Sequence, residues 1–350
     1  LALPEWSAGV HVRVSGRWIG RWAAMAAVLL SSLWVTGLLA YQLDAAWLRY
    51  PALGACWALA VAALWSFWRA RARHRVVLAH AIFVLCALLG WASLEPRQDR
   101  IWADDVAQRL KVVSVDGDSV VLDNVRNFNW RTEEDHDVRW ERRSYDLSTL
   151  RSADLITSYW MGPAIAHTLV SFGFEDGRNL VFSLEIRKER GEQFSAFGGF
   201  FRRFEATLVA ADERDIVRVR SNVRGEQGYL YRLHGASQAQ LRALFMAYLD
   251  RARALDAAPA FYNTLTSNCT TIVFELARTI APRIPLDYRL LLSGYLPEYA
   301  YDIGVLAPGV DIATLRAKGD ITRRAQAADD AADFSRQIRR GVPGIKQDAP

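Results

Sequence analysis

The sequence predicts an α+β protein: an anchor of three transmembrane helices, then a water-facing domain built on antiparallel hairpins. Three observations carry this. Composition changes near residue 95, from a stretch rich in Ala, Leu, Val and Trp to one with ordinary mixed charge. Three apolar runs of membrane length, free of Asp, Glu, Lys and Arg, fall in the first part. Alternating runs punctuated by Asp-Gly turns fill much of the second, ahead of two helical patterns.

The 350 residues suit two units, at roughly 100–200 residues per domain. The divisions expected are 1–96 for the anchor, 97–316 for the domain and 317–350 for a charged, flexible C-terminal tail. The net charge of +5 is modest, and no block of like charge or RNA-binding signature argues for nucleic acid. Cys56 and Cys86 lie in apolar runs, which leaves Cys269 alone in the domain and excludes a disulfide framework or a Cys-rich zinc site. No metal and no cofactor is expected, and nothing bears on oligomeric state.

The spans expected are Trp22–Tyr41, Pro51–Trp68 and Val76–Leu94. A cleaved signal peptide accounts only for the first of them. Arg13, Arg17 and Arg21 precede the first span, and Arg69, Arg71, Arg73 and Arg75 separate the second from the third, so the N-terminus is expected in the cytoplasm. Three crossings then place everything after Glu95 outside an inner (cytoplasmic) membrane, in the periplasm where there are two membranes. His80, the one ionisable group inside a span, reads as a packing or snorkelling residue.

In the domain, Glu95–Asp105 reads as a linker. Lys111–Val115 and Ser119–Leu122 read as a hairpin about Asp116-Gly117-Asp118. The acidic run around His136 reads as a solvated loop, since its potential ligands are bunched without a partner cluster. Trp140–Leu147 and Asp154–Trp160 read as strands. Ala164–Phe174 and Arg178–Lys188 form a second hairpin about Glu175-Asp176-Gly177. A three-residue loop with a left-handed glycine puts Val170, Phe172, Leu180, Phe182 and Leu184 on one face and sets His167 opposite Glu185. A two-residue loop sets His167 opposite Ile186 instead. The first register gives the cleaner apolar face and is preferred. A carboxylate opposite an imidazole can hold one tautomer and stabilise its charged form; a surface His–Glu pair is the plainer reading.

Phe194–Phe204 reads as a loop or a short amphipathic segment near lipid. Glu205–Ala210 and Ile216–Arg220 flank Glu213-Arg214-Asp215, and Gly228–Leu233 is a further strand. Ser237–Leu255 is a helix opened by a Ser237/Gln240 capping box, with an apolar stripe through Leu241, Leu244, Phe245, Tyr248 and Leu249. Ser267 and Asn268 are good caps for a last helix that begins at Cys269 and continues through Ile272, Val273, Leu276 and Ile280. A thiol at a helix N-terminus has a lowered pKa and gives the reactive thiolate. A small buried hydrophobe is the competing reading.

His167-Thr-Leu-Val-Ser-Phe172, Ser183-Leu-Glu-Ile-Arg187, the Glu213-Arg-Asp215 region with Arg220 and Arg224, Leu265-Thr-Ser-Asn-Cys-Thr-Thr271 and Gly294-Tyr-Leu-Pro297 occur in this order. The set resembles the N-terminal periplasmic domain family of Lnb, the lipoprotein N-acyltransferase described in Bacteroides, over about Asn127 to Leu306. The family is similar to papain-like, NlpC/P60-type thiol enzymes in permuted form, with the histidine strand ahead of the cysteine helix. The resemblance implies Cys269 as nucleophile, His167 as general base and Glu185 as orienter. It makes Asn268, Tyr262, Arg187 and Ser183 weaker candidates for substrate or oxyanion contacts, Arg187 because arginine pairs bidentately with phosphate and carboxylate. It implies a thiol acyltransferase working through a thioester, with phospholipid as acyl donor and a lipoprotein's N-terminal amine as acceptor. The alternative is a Cys-His hydrolase of the same fold: a cell-wall peptidase, an amidase or a lipid esterase. A non-catalytic anchored scaffold is the third possibility. The three-helix anchor is a departure from the family, whose members differ in their membrane portions.

Overall fold

The computed structural model describes residues 16–69 and 73–346. Arg13 and Arg71, on which the expected topology partly rests, lie outside the described residues, and Arg17 and Arg73 are described as helix backbone only. The chain divides into two units, Leu1–Glu95 and Pro96–Pro350.

The first unit holds α1 (Gly16–Gln42), α2 (Ala46–Ser66) and α3 (Arg73–Ala92), each long and apolar enough to cross a membrane. Small residues let them approach closely: Ala60 and Ala63 of α2 are fully buried against Val28 of α1. His80 Nε2 lies 3.1 Å from Ser31 Oγ, a packing hydrogen bond between α3 and α1.

The second unit is organised by an eight-stranded sheet. Its strands are β1 (Lys111–Asp116), β2 (Ser119–Arg126), β5 (Trp140–Asp146), β6 (Leu150–Tyr159), β7 (Ala166–Phe174), β8 (Asn179–Arg187), β9 (Glu205–Asp212) and β10 (Gln227–Arg232). The order is β1-β2-β9-β8-β7-β6-β10, with β5 also on β2. Between β2 and β5, the short strands β3 (Asn129–Trp130) and β4 (His136–Asp137) pair, and His136 stacks on Phe128 and Trp130. The acidic run is therefore folded back on an aromatic cluster.

The central hairpin has the three-residue loop. Phe174 N–H donates to Arg178 O at 3.0 Å and Gly177 has φ +81°, a value that favours glycine. The pairs run from Gly173↔Asn179 to Val170↔Phe182 and stop there. That register puts Val170, Phe172, Leu180, Phe182 and Leu184 on one face, where they pack under α6 (Gln238–Ala257) and α7 (Cys269–Ile280). Phe172 and Phe182 meet Phe245 and Tyr248 of α6 there. The Ser237/Gln240 capping box opens α6 as its spacing predicts.

Leu169, Val181 and Val209 form the other face. It is covered by α5 (Glu213–Arg218), the π-type turn Val219–Val223 that follows, and the C-terminal segment. Between β8 and β9 lies α4 (Ala196–Phe200); after α7 come α8 (Leu296–Asp302) and α9 (Ile312–Gly319).

The expectation of a flexible tail over 317–350 needs correction. In the described part, α10 (Thr322–Ala328) and α11 (Phe334–Ile338) bury Ile321, Ala325, Phe334, Ile338 and Val342 against the sheet. Arg339 is buried too, with Nη2 2.6 Å from Glu213 Oε1 and 2.8 Å from Asp154 Oδ2. Apolar residues are few here but fall on one side of each turn. A charge count also overstates solvation when the charge is paired inside the fold.

Candidate functional site

The site forms where the central hairpin opens. Past the Val170↔Phe182 pair, the ends of β7 and β8 carry His167, Ser183 and Glu185 on the face covered by the π-type turn. All three are sheltered, His167 and Ser183 fully. Ser183 donates its hydroxyl hydrogen to Glu185 Oε1 at 2.7 Å and lies 2.6 Å from His167 Nε2. Glu185 Oε1 is also 3.1 Å from Nε2. The serine's one hydrogen is committed to the carboxylate, so Nε2 must carry a proton and donate towards both oxygens. Nδ1 is then the nitrogen left for the thiol.

Cys269 is the first residue of α7. Asn268 caps the helix: its Oδ1 accepts from the Thr270 and Thr271 N–H groups, each at 2.9 Å, and Thr271 Oγ1 accepts from Asn268 N–H at 2.8 Å. The sulfur is buried, hydrogen-bonded to His167 and to the Thr168 backbone N–H, with Thr270 Oγ1 at 3.9 Å. Thr168 Oγ1 and Thr270 Oγ1, 3.2 Å apart, join the helix start to β7.

Burial alone would raise the Cys269 pKa. The charge of His167 and the hydrogen bonds to the sulfur outweigh it, and the thiol falls below its ordinary value. Burial and Arg220 pull the imidazole down, but Glu185 and Cys269 prevail and push it up to about 9. The Glu185 carboxyl is held well below the usual range, burial being overcome by His167 and Arg220. Both shifts act in one direction, favouring the thiolate–imidazolium form of the pair over the neutral form.

Arg220 is the residue that sequence reasoning quoted without a role. It sits on the π-type turn, a feature frequent at functional sites. Its Nη2 donates to Glu185 Oε1 at 2.9 Å and its Nη1 to Glu226 Oε2 at 3.4 Å, while Ser158 donates to the same Glu226 oxygen. Glu185 is thus fixed from behind by a cation that is itself neutralised. Nothing in the local sequence signals this, because the turn and β8 meet only in the folded domain.

The weaker candidates divide. Ser183 is the bridge just described. Tyr262 is buried, and its hydroxyl accepts from the Cys269 backbone N–H, so it stands beside the sulfur. The Asn268 oxygen is spent on the cap, and one hydrogen of its Nδ2 is donated to Thr264 O at 2.7 Å. Arg187 is turned away: Nε and Nη2 donate to Val106 O and Ala107 O, and the guanidinium lies 4.4 Å from the centre of the Trp102 ring. It is a structural arginine that anchors the chain's entry to β8.

Gly294 packs against the connection that leads into the histidine strand. A Cβ there would meet Pro163 O at 2.1 Å, so only glycine lets this segment reach the β6–β7 connection. Ser293 Oγ accepts from Ala166 N–H at 2.9 Å, next to His167.

An apolar cavity of about 350 Å³ runs between α6, α7 and the sheet, lined among others by Val170, Leu244, Tyr248, Val273, Phe274 and Ala277. Val273 is one helical turn from Cys269. Burial, and then the Cys269 charge, push the pKa of the Tyr248 phenol, which lines the cavity, up.

Residues 136–294 match the family described as the Lnb N-terminal periplasmic domain. This is the family that the motifs resemble, and the match contains His167, Ser183, Glu185, Arg220, Tyr262 and Cys269. No curated protein and no solved structure matches the chain. With three apolar helices ahead of an Lnb-type periplasmic domain, the chain is a membrane protein with a periplasmic domain.

Proposed function

We propose that this protein is a thiol acyltransferase. It moves an acyl chain from a phospholipid to the N-terminal amine of a lipoprotein, by way of a thioester on Cys269. The observation that carries the reading is the buried Cys269–His167 pair, backed by Glu185 and lying one turn from an apolar cavity. An open polar groove would suit a peptidase; an apolar cleft suits an acyl chain. The arginines before the first span and between the second and third support a cytoplasmic N-terminus and an inner-membrane location.

In the proposed first step the Cys269 thiolate attacks the ester carbonyl. The oxyanion forms near the Cys269 backbone N–H and the Tyr262 hydroxyl. Collapse breaks the ester C–O bond. The His167 imidazolium gives its Nδ1 proton to the departing glycerol oxygen, leaving a thioester, a lysophospholipid and neutral imidazole. The acceptor amine then attacks the thioester and loses a proton to His167, and the thiolate leaves. The ion pair is restored and an amide has formed.

The deciding experiment uses cells depleted of their own lipoprotein N-acyltransferase. Mass spectrometry of lipoprotein N-termini is expected to show a third acyl chain when this protein is expressed. Lipoproteins that stay diacylated with well-expressed protein would remove that acceptor. Release of free fatty acid or cleaved muropeptide would then assign the site to a hydrolase.

The cavity makes a separate prediction. Ala277 lies eight residues beyond Cys269 on α7, about 12 Å along the axis. Ala277→Phe puts bulk into the cavity and is expected to reduce kcat/KM for long-chain donors roughly tenfold or more, the cost of displacing one or two buried methylenes. Short-chain donors are expected to keep their rate. Equal losses with both, measured by single-donor assays, would separate the cavity from the acyl chain.

A further inference from the structure

Several large apolar side chains of the domain are exposed at one end of the sheet, while others, Leu286, Tyr288 and Leu291 among them, are exposed in the segment after α7. Ile101 lies before the strands, Trp160 and Met161 in the β6–β7 connection, Phe194 and Phe197 around α4, and Leu265 in the loop before Cys269; Phe197 is 69% exposed and Met161 58%. Two contacts tie parts of this end together. Trp160 and Phe194 meet edge to face with centroids 6.1 Å apart, and Thr264 Oγ1 donates to Ala196 O at 2.7 Å. This is the end where His167 begins β7 and Glu185 closes β8. The opposite end, at the turns around Gly117 and Gly177, carries Asp116, Asp118, Glu175 and Asp176.

The chain enters the domain at the same apolar end. Arg97 N–H donates to Glu205 Oε1 at 2.8 Å, at the first residue of β9, and Arg190 N–H donates to Ile101 O at 2.9 Å. The third apolar helix ends at Ala92. Five residue steps separate Ala92 from Arg97, and they can span at most about 18 Å.

We infer that this rim docks on the surface of the lipid bilayer. An isolated exposed aromatic needs no explanation, but a group of exposed apolar side chains gathered at one end of a water-facing domain marks an interaction site. Tryptophan and phenylalanine at the headgroup boundary are what an interfacial surface uses. The short connection from the last apolar helix selects lipid as the occupant, because it holds this edge and not the acidic one near the point where the chain leaves the bilayer. The inference stands on the rim and the chain entry, and it is independent of the reaction proposed above. Its consequence for any lipid reaction is that a donor need not leave the leaflet to approach Cys269.

The test uses the full chain in liposomes of phosphatidylethanolamine and phosphatidylglycerol. The photoreactive residue p-benzoylphenylalanine replaces Phe197 or Met161, and in a control Asp176 at the opposite end. After irradiation, mass spectrometry is expected to find lipid adducts at 197 and 161 severalfold above those at 176. Adduct levels no higher than at 176 would overturn the inference. So would adducts at 197 and 161 formed with a second copy of the chain, which would make the rim a self-association surface. Two rim positions guard against one replacement that disturbs its loop.

Discussion

Cys269→Ala is expected to lower acyl transfer by at least about 10⁴-fold, since the nucleophile of a coupled set carries nearly its whole effect. The sulfur is small and its neighbours remain, so the melting temperature should move by only a few degrees. Lipoprotein N-terminal mass spectrometry gives the first readout, with the third acyl chain absent. A second readout needs no substrate. The rate of Cys269 alkylation by iodoacetamide, followed by peptide mapping, reports the thiolate directly. With the thiol held below its ordinary value by His167, alkylation at neutral pH should be faster than that of an ordinary thiol of the same burial. It should change again as His167 loses its proton near pH 9, the value to which Glu185 and Cys269 raise it against burial. The sign for Glu185→Gln follows. Removing a negative charge that raises the imidazole pKa moves that upper transition to lower pH and slows acylation. Alkylation that follows an ordinary thiol titration in the intact protein would contradict the ion pair.

Arg339→Met is expected to destabilise the domain by about 3–5 kcal/mol, the usual cost of removing one partner from a buried ion pair. Glu213 and Asp154 are both fully buried, and each receives Arg339 within 2.8 Å. The melting temperature should fall by roughly 10 °C. Arg336→Ala, on an exposed pair of the same helix, should cost no more than about 0.5 kcal/mol. The pH dependence gives an independent check. Burial raises the Glu213 carboxyl pKa, but Arg339 outweighs it and the net shift is downward. A carboxyl depressed in the fold contributes stability above its unfolded value, and that stability is lost as pH falls through the folded value. Without Arg339 only the Ser171 and Ser335 hydrogen bonds oppose burial, so the downward shift shrinks and the variant should lose less stability in acid than its parent. A variant that melts like its parent at both pH values would show that the C-terminal segment does not depend on this cluster.

How much was legible beforehand differs by residue. The three apolar runs, the Ser237/Gln240 capping box and the start of α7 at Cys269 depend on near neighbours, and local rules found them. The hairpin register was also legible as far as Val170↔Phe182, because one loop and a period of two fix the pairs; beyond it β7 and β8 part, and His167 and Glu185 meet through their side chains. Ser183 was named as a weak substrate contact, yet it joins histidine to carboxylate; a side chain's partners within a strand do not follow from alternation. Asn268 illustrates competition: its amide oxygen is spent on the cap and one Nδ2 hydrogen on Thr264 O, partners that only the folded loop supplies. Arg187 had charge enough for a ligand, but its carbonyl partners come from a segment about eighty residues earlier.

By itself, then, the sequence determined the three candidate spans, the hairpin register and the helix that presents the cysteine, all through short-range geometry and hydrophobic periodicity. The tertiary structure alone decided that Arg220 fixes Glu185, that Tyr262 stands at the Cys269 N–H, that a cavity follows α7, and that the charged C-terminal segment closes one face of the sheet. The physical reason is the same in each case. These features arise where distant segments exclude water together, and a charge or hydroxyl acquires its partner only once that burial has occurred.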